Sequence, residues 1–275
     1  GGGILAVKGI GGYQLACDAE DAAAVATLRA RKRRQTKPFA LMARDLDAVR
    51  ALCNASAAEA NLLASPEAPI VVLRARRVPE GVAPGLDTLG VMLPTTPLHH
   101  LLLAPFASAL VMTSGNLSDA PSETDDAAAR TRLAGIADGF LSHDRQIASR
   151  LDDSVARILG GRTRLLRRAR GYAPAPMALP PGFAPAPPIL ATGSDQKATF
   201  CLLREGEAIL SHHIGDLDEA TTSDDFAAAV DRYTDLFRHR PAHVALDLHP
   251  GYRAAALGRE IAARHGATLH LVQHH

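Results

Sequence analysis

Short apolar runs separated by polar turns divide residues 1–160 into alternating strands and helices. The runs predict strands at 4–7, 39–42, 70–73, 109–112 and 155–159. Asp18 is a suitable N-cap for a helix that continues to about Arg31, because its carboxylate accepts free backbone N–H groups. Pro38 lacks an N–H and ends that unit. Further helices are predicted at 46–53, 57–63, 98–103 and 127–137.

A proline-rich stretch separates two parts of the chain. Residues 172–188 read YAPAPMALPPGFAPAPP, and seven prolines among alanines predict a semi-extended linker without a regular element. We therefore predict a first domain at 1–172, a linker at 173–188 and a second domain at 189–275. The second domain has predicted strands at 189–192, 200–204, 208–213, 244–248 and 269–272, and helices at 224–238 and 254–265. These elements together predict an α/β (α+β) fold class.

Composition excludes several classes of protein. The chain has 275 residues, 47% of them hydrophobic, which is enough to bury a core, and a net charge of +1. It has no apolar run long enough to span a membrane and no signal-peptide pattern at its start. The three cysteines are far apart and form no CxxC pair, which favours reduced thiols in a cytoplasmic protein.

Positive charge is concentrated in one segment, LRARKRRQTKPFALM. Six of the 30 Lys and Arg residues lie between Arg29 and Lys37. Such side chains bind phosphate oxygens, arginine through its planar fork and lysine as a point charge. A solvated helix end, whose cations complement the helix dipole, is the alternative interpretation. Pro38 favours the first, because it fixes the loop that carries Lys37.

Two further motifs have small polar or acidic side chains next to a strand. In VMTSGNLSD, a buried strand runs into Ser114, Gly115 and Asn116, where small residues allow backbone N–H groups to approach an anion. In SRLDDSVARI, Asp152 and Asp153 could hold Mg²⁺ near phosphates. Ordinary turns and caps are the alternative interpretation of both motifs. A second basic cluster, RTRLLRRARGY, lies near the end of the same domain.

These motifs, in this order, resemble one family. LAVKGIGGYQLACDA, LRARKRRQTKPFALM, LGVMLPTTPLHHLLL, VMTSGNLSD, HDRQIASRLDDSVARI and LLRRARGYAPAP are similar to the YrdC-type domain of the HypF family of hydrogenase-maturation carbamoyltransferases. TFCLLREGEAILSHHIGDLD, VALDLHPGY and LVQHH resemble the beginning of the family's C-terminal domain. The resemblance implies a YrdC-like twisted mixed-sheet domain, followed by the N-terminal part of an actin/Hsp70-like (ribonuclease-H-like) domain.

The resemblance also implies an activity. Family members use carbamoyl phosphate and ATP, form a carbamoyl adenylate, and pass the carbamoyl group to the C-terminal cysteine of HypE, where it becomes a cyanide ligand of the [NiFe]-hydrogenase iron. ATP and Mg²⁺ are the cofactors expected, with carbamoyl phosphate or carbamate and HypE as partners. The family's acylphosphatase-like domain and paired CxxC motifs have no counterpart in these 275 residues.

Family roles carry over residue by residue. Lys32 and Arg34 are the expected catalytic residues. The other expected residues of the first domain bind nucleotide or carbamate: Lys37, Ser114, Asn116, Arg150, Asp153 and Ser154. In the second domain, Lys197 and Asp216 are expected at a nucleotide site. His274 matches the first histidine of a metal-binding HxxxH, for Zn²⁺ or Fe²⁺, whose second histidine would follow His275.

Three alternatives remain open at this point. A free-standing YrdC-type threonylcarbamoyl-adenylate synthase would use the same chemistry with L-threonine and bicarbonate. An RNA-binding module would use the two Arg clusters, although a near-neutral chain with 4% aromatic residues offers little surface for base stacking. An inactive remnant is the third alternative. If the chain forms a carbamoyl adenylate as the family resemblance implies, Lys32→Ala is expected to abolish ATP–pyrophosphate exchange and leave the fold intact.

Overall fold

The structure is a computed structural model that describes residues 2–117 and 120–273. The chain divides into two compact units, Gly1–Gly171 and Tyr172–His275. Within the described residues, no helix has both the length and the apolar character needed to cross a membrane.

The first unit is built on one large mixed sheet with five helices. Its strands are β1 (Leu5–Lys8), β2 (Tyr13–Asp18), β3 (Ala40–Ala43), β4 (Cys53–Asn54), β5 (Ile70–Ala75), β6 (Thr88–Met92), β7 (Ala109–Ser114), β8 (Gly139–Leu141), β9 (Val155–Leu159) and β10 (Arg162–Arg167). Its helices are α1 (Ala22–Lys32), α2 (Leu46–Leu52), α3 (Ala57–Leu63), α4 (Pro97–Leu103) and α5 (Asp126–Arg132).

The strand order of this sheet is β10-β9-β5-β6-β3-β7-β2-β1-β8, and β4 pairs with β5 outside this path. Side chains of successive residues point to opposite faces, so Leu15 and Cys17 of β2 join the main core with α1, while Ala16 joins a smaller core on the other face. The buried strand β7 lies between β3 and β2. Its end is therefore flanked by backbone on both sides.

The predicted start of the first helix is wrong. Residues 13–18 form β2, which pairs with β1 across the glycine-rich turn, so Asp18 lies at the end of a strand. Asp21 is the N-cap of α1 and accepts the N–H of Ala24. The two aspartates are equivalent as local cap signals. Pairing of β2 with β1 and β7, which local sequence does not encode, decides between them.

The second unit contains a six-stranded sheet with two helices against it. Its strands are β11 (Met177–Ala178), β12 (Ile189–Ala191), β13 (Cys201–Arg204), β14 (Glu207–Leu210), β15 (His243–Asp247) and β16 (Thr268–Val272), and its helices are α6 (Ala220–Leu236) and α7 (Arg253–His265). The order is β11-β14-β13-β12-β15-β16. β12, β13 and β14 form an antiparallel meander, and β15 and β16 run parallel to β12.

The proline-rich stretch is more ordered than predicted. Met177 and Ala178 pair with β14, and the Leu179 N–H donates to the Gly206 carbonyl at 2.9 Å. A short 3₁₀ turn follows at Pro181–Phe183. The prediction of a segment without regular elements was wrong, because residues 177–179 are not prolines and keep the N–H groups that a sheet edge requires.

Helix α7 packs so closely on the second sheet that a single methyl group would not fit. A Cβ on Gly258 would lie 2.2 Å from Leu246 Cδ2 and 2.8 Å from Thr192 Cγ2. We predict that Gly258→Ala lowers the free energy of unfolding by about 1–3 kcal/mol, despite a gain of about 1 kcal/mol in helix propensity. Urea denaturation would measure this loss. Gly135→Ala is the control, because nothing lies within 4 Å of its added Cβ, and equal effects of the two variants would contradict the packing.

Candidate functional site

Three polar segments of the first unit meet at the end of β7. Gln14 of β2 pairs with Ser114, the last residue of β7. On the other side of β7, Ala40 of β3 pairs with Met112. The two strands are antiparallel, so two residues further along this register residue 38 lies opposite Ser114. The basic loop ends at this position. Gly115 follows at a close approach, where an added Cβ would lie 2.6 Å from the Tyr13 carbonyl oxygen. The basic run and the SGN motif are therefore neighbours.

Lys32 connects the basic helix to the SGN motif. Its Nζ donates to the Ser114 carbonyl at 2.7 Å, the Asn116 carbonyl at 2.6 Å and Asn116 Oδ1 at 2.7 Å. Ser114 Oγ donates to the same Oδ1 at 2.7 Å. Lys32 is completely buried, and this burial, with the nearby Arg34 charge, lowers the pKa of its amine to about 7. Three predicted site residues therefore form one hydrogen-bonded cluster.

Arg34 and Lys37 lie in the loop that follows α1. Arg34 Nη2 donates to the Pro38 carbonyl at 2.9 Å, and its guanidinium carbon lies 5.5 Å from the centre of the Phe39 ring. Lys37 is exposed. The loop begins at Arg33, which takes a left-handed conformation with φ 54° and terminates the helix. The loop thus carries the half-buried Arg34 and the exposed Lys37 next to the end of β7.

The remaining cations of α1 are not a solvated helix end. Arg31 donates to the Ile136 carbonyl at 2.8 Å and to Asp138 Oδ1 at 2.7 Å. Arg29 is half-buried and donates to backbone carbonyls of the basic loop. The alternative interpretation of these two residues was wrong. Their carbonyl partners are distant in sequence or set by the loop conformation, so no spacing rule would have found them.

A segment at 142–154, between β8 and β9, brings the DDS motif to the same region. Its ends lie at β8, one edge of the sheet, and at β9, near the other edge. The segment contacts the glycine-rich turn after β1, where Leu151 N–H donates to the Gly11 carbonyl at 2.9 Å. Arg150 Nε donates to the Ser122 carbonyl at 2.7 Å, and burial lowers the pKa of this arginine.

Asp153 and Ser154 hold the strand segment around residue 170. Asp153 Oδ1 accepts from Arg170 Nε at 2.8 Å, and its Oδ2 accepts from Gln14 Nε2 at 3.2 Å. Ser154 is buried, and its hydroxyl accepts from Ala169 N–H and donates to the Arg170 carbonyl, both at 2.8 Å. Gln14 therefore links the SGN strand to the DDS motif. Sequence reasoning missed Gln14 and Arg170, because their contacts depend on strand register.

The described residues contain no cluster of side chains that could hold a metal ion by themselves. Across residues 2–117 and 120–273, no three or more His, Cys, Asp or Glu side chains lie close enough to hold an ion together. Asp153, the expected Mg²⁺ ligand, is instead paired with Arg170. What the first unit does offer is cationic and hydroxyl or amide groups around the end of one strand, an arrangement that binds anions.

The second unit brings Lys197 and Asp216 together. The Lys197 N–H donates to Asp216 Oδ1 at 2.7 Å, next to an isolated bridge between Ala198 and Gly215. Both side chains are exposed. Asp195, which sequence reasoning missed, is buried and accepts the N–H groups of Arg253 and Ala254 at the start of α7. His274, the expected metal ligand, lies outside the described residues.

Two family models match the chain. The Sua5/YciO/YrdC model, described as telomere recombination, matches residues 1–169, and the HypF Kae1-like domain model matches residues 184–275. The expected fold is confirmed: a YrdC-like mixed-sheet unit is followed by a unit of the actin/Hsp70-like class, whose meander continues into parallel strands.

Curated relatives cover both units. A carbamoyltransferase HypF of Rhodobacter capsulatus is 55% identical over all 275 residues, which are 37% of that protein. A probable HypF of Methanocaldococcus jannaschii is 35% identical over the whole chain and 36% of its own length. The chain thus spans just over a third of the curated relatives it matches from end to end.

Solved structures agree with these relatives. Full-length HypF in a phosphate- and nucleotide-bound form has a TM-score of 0.92 and 44% identity, covering 100% of this chain and 43% of the other. P. abyssi Sua5 in complex with L-threonine has a TM-score of 0.57 at 18% identity, over 99% of this chain and 93% of the other, and shares the fold. With both units matched in order, the chain belongs to the HypF family.

Proposed function

We propose that the chain is the carbamoyl-adenylating part of an ATP-dependent HypF-type carbamoyltransferase, together with the beginning of its transfer domain. The observation that carries the proposal is the cluster of Lys32, Ser114 and Asn116 beside the Arg34–Lys37 loop, in a chain 55% identical to a carbamoyltransferase over its whole length. The HypF structure described as phosphate- and nucleotide-bound supports ATP as the ligand.

The proposed reaction needs positioning and charge rather than a side-chain nucleophile. A carbamate oxygen attacks the α-phosphorus of ATP, and a new P–O bond forms while the bond to the departing pyrophosphate breaks. Negative charge builds on the phosphate oxygens, and fixed positive groups stabilise it. Burial raises the pKa of Cys17 to about 12 and that of Cys53 to about 11, so neither thiol forms a nucleophile at neutral pH.

Each cluster has a distinct part in this proposal. Arg34 and Lys37 bind phosphate oxygens from the exposed loop. Ser114 and Asn116 bind the outer phosphates, and Lys32 keeps their segment in place through its three hydrogen bonds. Arg150, Asp153 and Ser154 position the neighbouring segment through their hydrogen bonds. No step is assigned to Mg²⁺, Zn²⁺ or Fe²⁺, because the described residues contain no cluster that would hold such an ion without the substrate.

The later steps complete the proposal. The carbamoyl group passes from the adenylate to the C-terminal cysteine of HypE and becomes a cyanide ligand in [NiFe]-hydrogenase maturation. Lys197 and Asp216 belong to a nucleotide site in the transfer domain, and the protein acts in the cytoplasm. The 18% identity to Sua5 supports a common fold and does not favour L-threonine as the substrate of this chain.

The first test is carbamoyl-phosphate-dependent exchange of labelled pyrophosphate into ATP, in the full-length natural protein. We predict that Arg34→Ala lowers kcat/KM by about 100-fold, because a fixed cation near the phosphate oxygens is lost. Arg44→Ala is the matched control, since Arg44 is exposed and lies at the opposite end of β3 from the basic loop, where it contacts Asp45 at 2.9 Å and the Phe106 carbonyl at 3.5 Å. Exchange that requires L-threonine and bicarbonate instead of carbamoyl phosphate would contradict the proposal.

Lys32→Ala is a less specific test than the sequence suggests. Removing Nζ leaves the Asn116 carbonyl without the donor that it has in the structure, which costs about 1–3 kcal/mol. Asn116 Oδ1 keeps the Ser114 hydroxyl and the Ser114 carbonyl keeps the Asn116 N–H, but both lose the charged donor. Loss of exchange in that variant would therefore report on the position of the loop as well as on substrate binding.

A pH profile provides an independent test of Lys32. The depressed pKa of about 7 means that the ammonium, with three donors, prevails below pH 7, and the neutral amine, with two, above it. We predict that kcat/KM for exchange falls as pH rises through about 7. Lys32→Arg keeps its charge over this range, so any activity that this variant retains should not fall as pH rises through about 7. A wild-type profile without a decline between about pH 6 and pH 9 would contradict the role.

A further inference from the structure

Arg29, on the last turn of α1, connects two loops through backbone carbonyls alone. Its Nη1 donates to the carbonyl oxygens of Arg34 at 2.8 Å, Gln35 at 3.2 Å and Lys37 at 3.2 Å. Its Nη2 donates to the Val82 carbonyl at 3.0 Å, and its Nε to the Gly81 carbonyl. One guanidinium thereby fixes most of the basic loop against the turn that precedes β6.

The buried aromatic ring of Phe39 lies close to the Arg29 guanidinium. Its Cζ lies 4.4 Å from the centre of the Phe39 ring, and Phe39 is 1% exposed. The Phe39 N–H donates to the Val82 carbonyl at 2.9 Å, the same oxygen that Arg29 contacts. A planar guanidinium held against a buried ring loses little freedom when it forms several hydrogen bonds at once. A lysine at this position could not satisfy the same set of carbonyls.

The orientation of these carbonyls determines what the loop presents outward. In a planar trans peptide the C=O and the following N–H point in opposite directions. Because the carbonyls of Arg34 and Gln35 face Arg29, the N–H groups of Gln35 and Thr36 face away from it. Successive outward N–H groups form a concave donor set suited to an anion such as a phosphate oxygen. The side chains of Arg34 and Lys37 lie in the same loop.

The charge of Arg29 is also preserved. Among the described residues, no carboxylate pairs with it, and its hydrogen-bond partners are all carbonyl oxygens. Arg31, two residues further along the same helix, forms an ion pair with Asp138 at 2.7 Å, which offsets its charge. A guanidinium that is hydrogen-bonded but not neutralised adds a positive potential behind the loop.

We propose that Arg29 is a positioning residue for the phosphate-bearing substrate: it shapes the 34–37 loop into an anion-binding turn without touching the ligand. The inference rests on the proposed adenylating function and deepens it, because it assigns phosphate binding to the backbone N–H groups of Gln35 and Thr36 together with the two loop cations. Loss of Arg29 should therefore weaken the binding of ATP much more than it weakens the fold.

The test compares Arg29→Lys with Arg31→Lys in the full-length natural protein. Both changes keep the charge on α1 and remove a guanidinium fork, but only Arg29 contacts the basic loop. We expect Arg29→Lys to raise the KM for ATP in the exchange assay about tenfold, with a smaller change in kcat. Arg31→Lys should leave this KM unchanged, and the melting temperatures of both variants show how far each change weakens the fold.

Chemical rescue separates positioning from general stability. Guanidinium ions added to Arg29→Ala should restore part of the ATP affinity, and the same addition to Arg31→Ala should change nothing. An unchanged KM for ATP in Arg29→Lys would overturn the inference. So would losses of activity that follow the loss of melting temperature equally in both lysine variants. Either result would leave the proposed function standing. A wild-type protein without carbamoyl-phosphate-dependent exchange would overturn the proposed function, and this inference with it.

Discussion

The burial of one ammonium group at the end of β7 is the interaction on which the candidate site depends. Lys32 enters a fully buried position from the last turn of α1, and an unpaired amine there would be costly. The carbonyls of Ser114 and Asn116 and the Asn116 side chain provide its three acceptors. The lysine thereby fixes the distance between the helix end and the strand end. The basic loop and the SGN motif keep their relative position as a consequence.

Two glycines allow the other segments to come close enough to complete this arrangement. A Cβ on Gly11 would lie 2.2 Å from the Leu151 carbonyl oxygen, and one on Gly115 would lie 2.6 Å from that of Tyr13. Contacts this short exist only where there is no side chain. They let the segment at 142–154 and the SGN turn pack against the same part of β2. Asp153 then reaches Gln14, so the DDS motif and the SGN motif become parts of one structure.

Local patterns predicted the elements whose signals are complete within a few residues. The helix predicted at 57–63 agrees with the structure, in which Ser56 and Glu59 form a capping box at its start. The strand at 155–159 also agrees with its prediction. Asp18 and Asp21 show the limit, since both suit an N-cap and only the pairing of β2 decides between them. β10 is similar: its mixed basic and apolar residues are exposed, and only its pairing with β9 makes it a strand.

The candidate site shows the same division. Lys32, Ser114 and Asn116 were expected together, and the structure brings them together, while their roles toward a substrate stay predictions. The contacts of Arg29 and Gln14 were missed because they depend on a loop conformation and on strand register. Sequence spacing records neither. The motifs thus identified the region, and the backbone geometry determined which side chains shape it.

The partners of each cation distinguish those that can attract an anion from those that only stabilise the fold. Lys8 pairs with Asp126 at 2.8 Å, and Arg31 pairs with Asp138, so a carboxylate neutralises each of these charges. Lys32 and Arg29 are hydrogen-bonded as completely, but their described partners are carbonyl and amide oxygens, which orient a cation without cancelling its charge. A run of basic residues gives no sign of this difference. Because Arg29 lies directly against the Arg34–Lys37 loop, its uncancelled charge contributes a positive potential there, whereas the charge of Lys32 declines as pH rises through about 7.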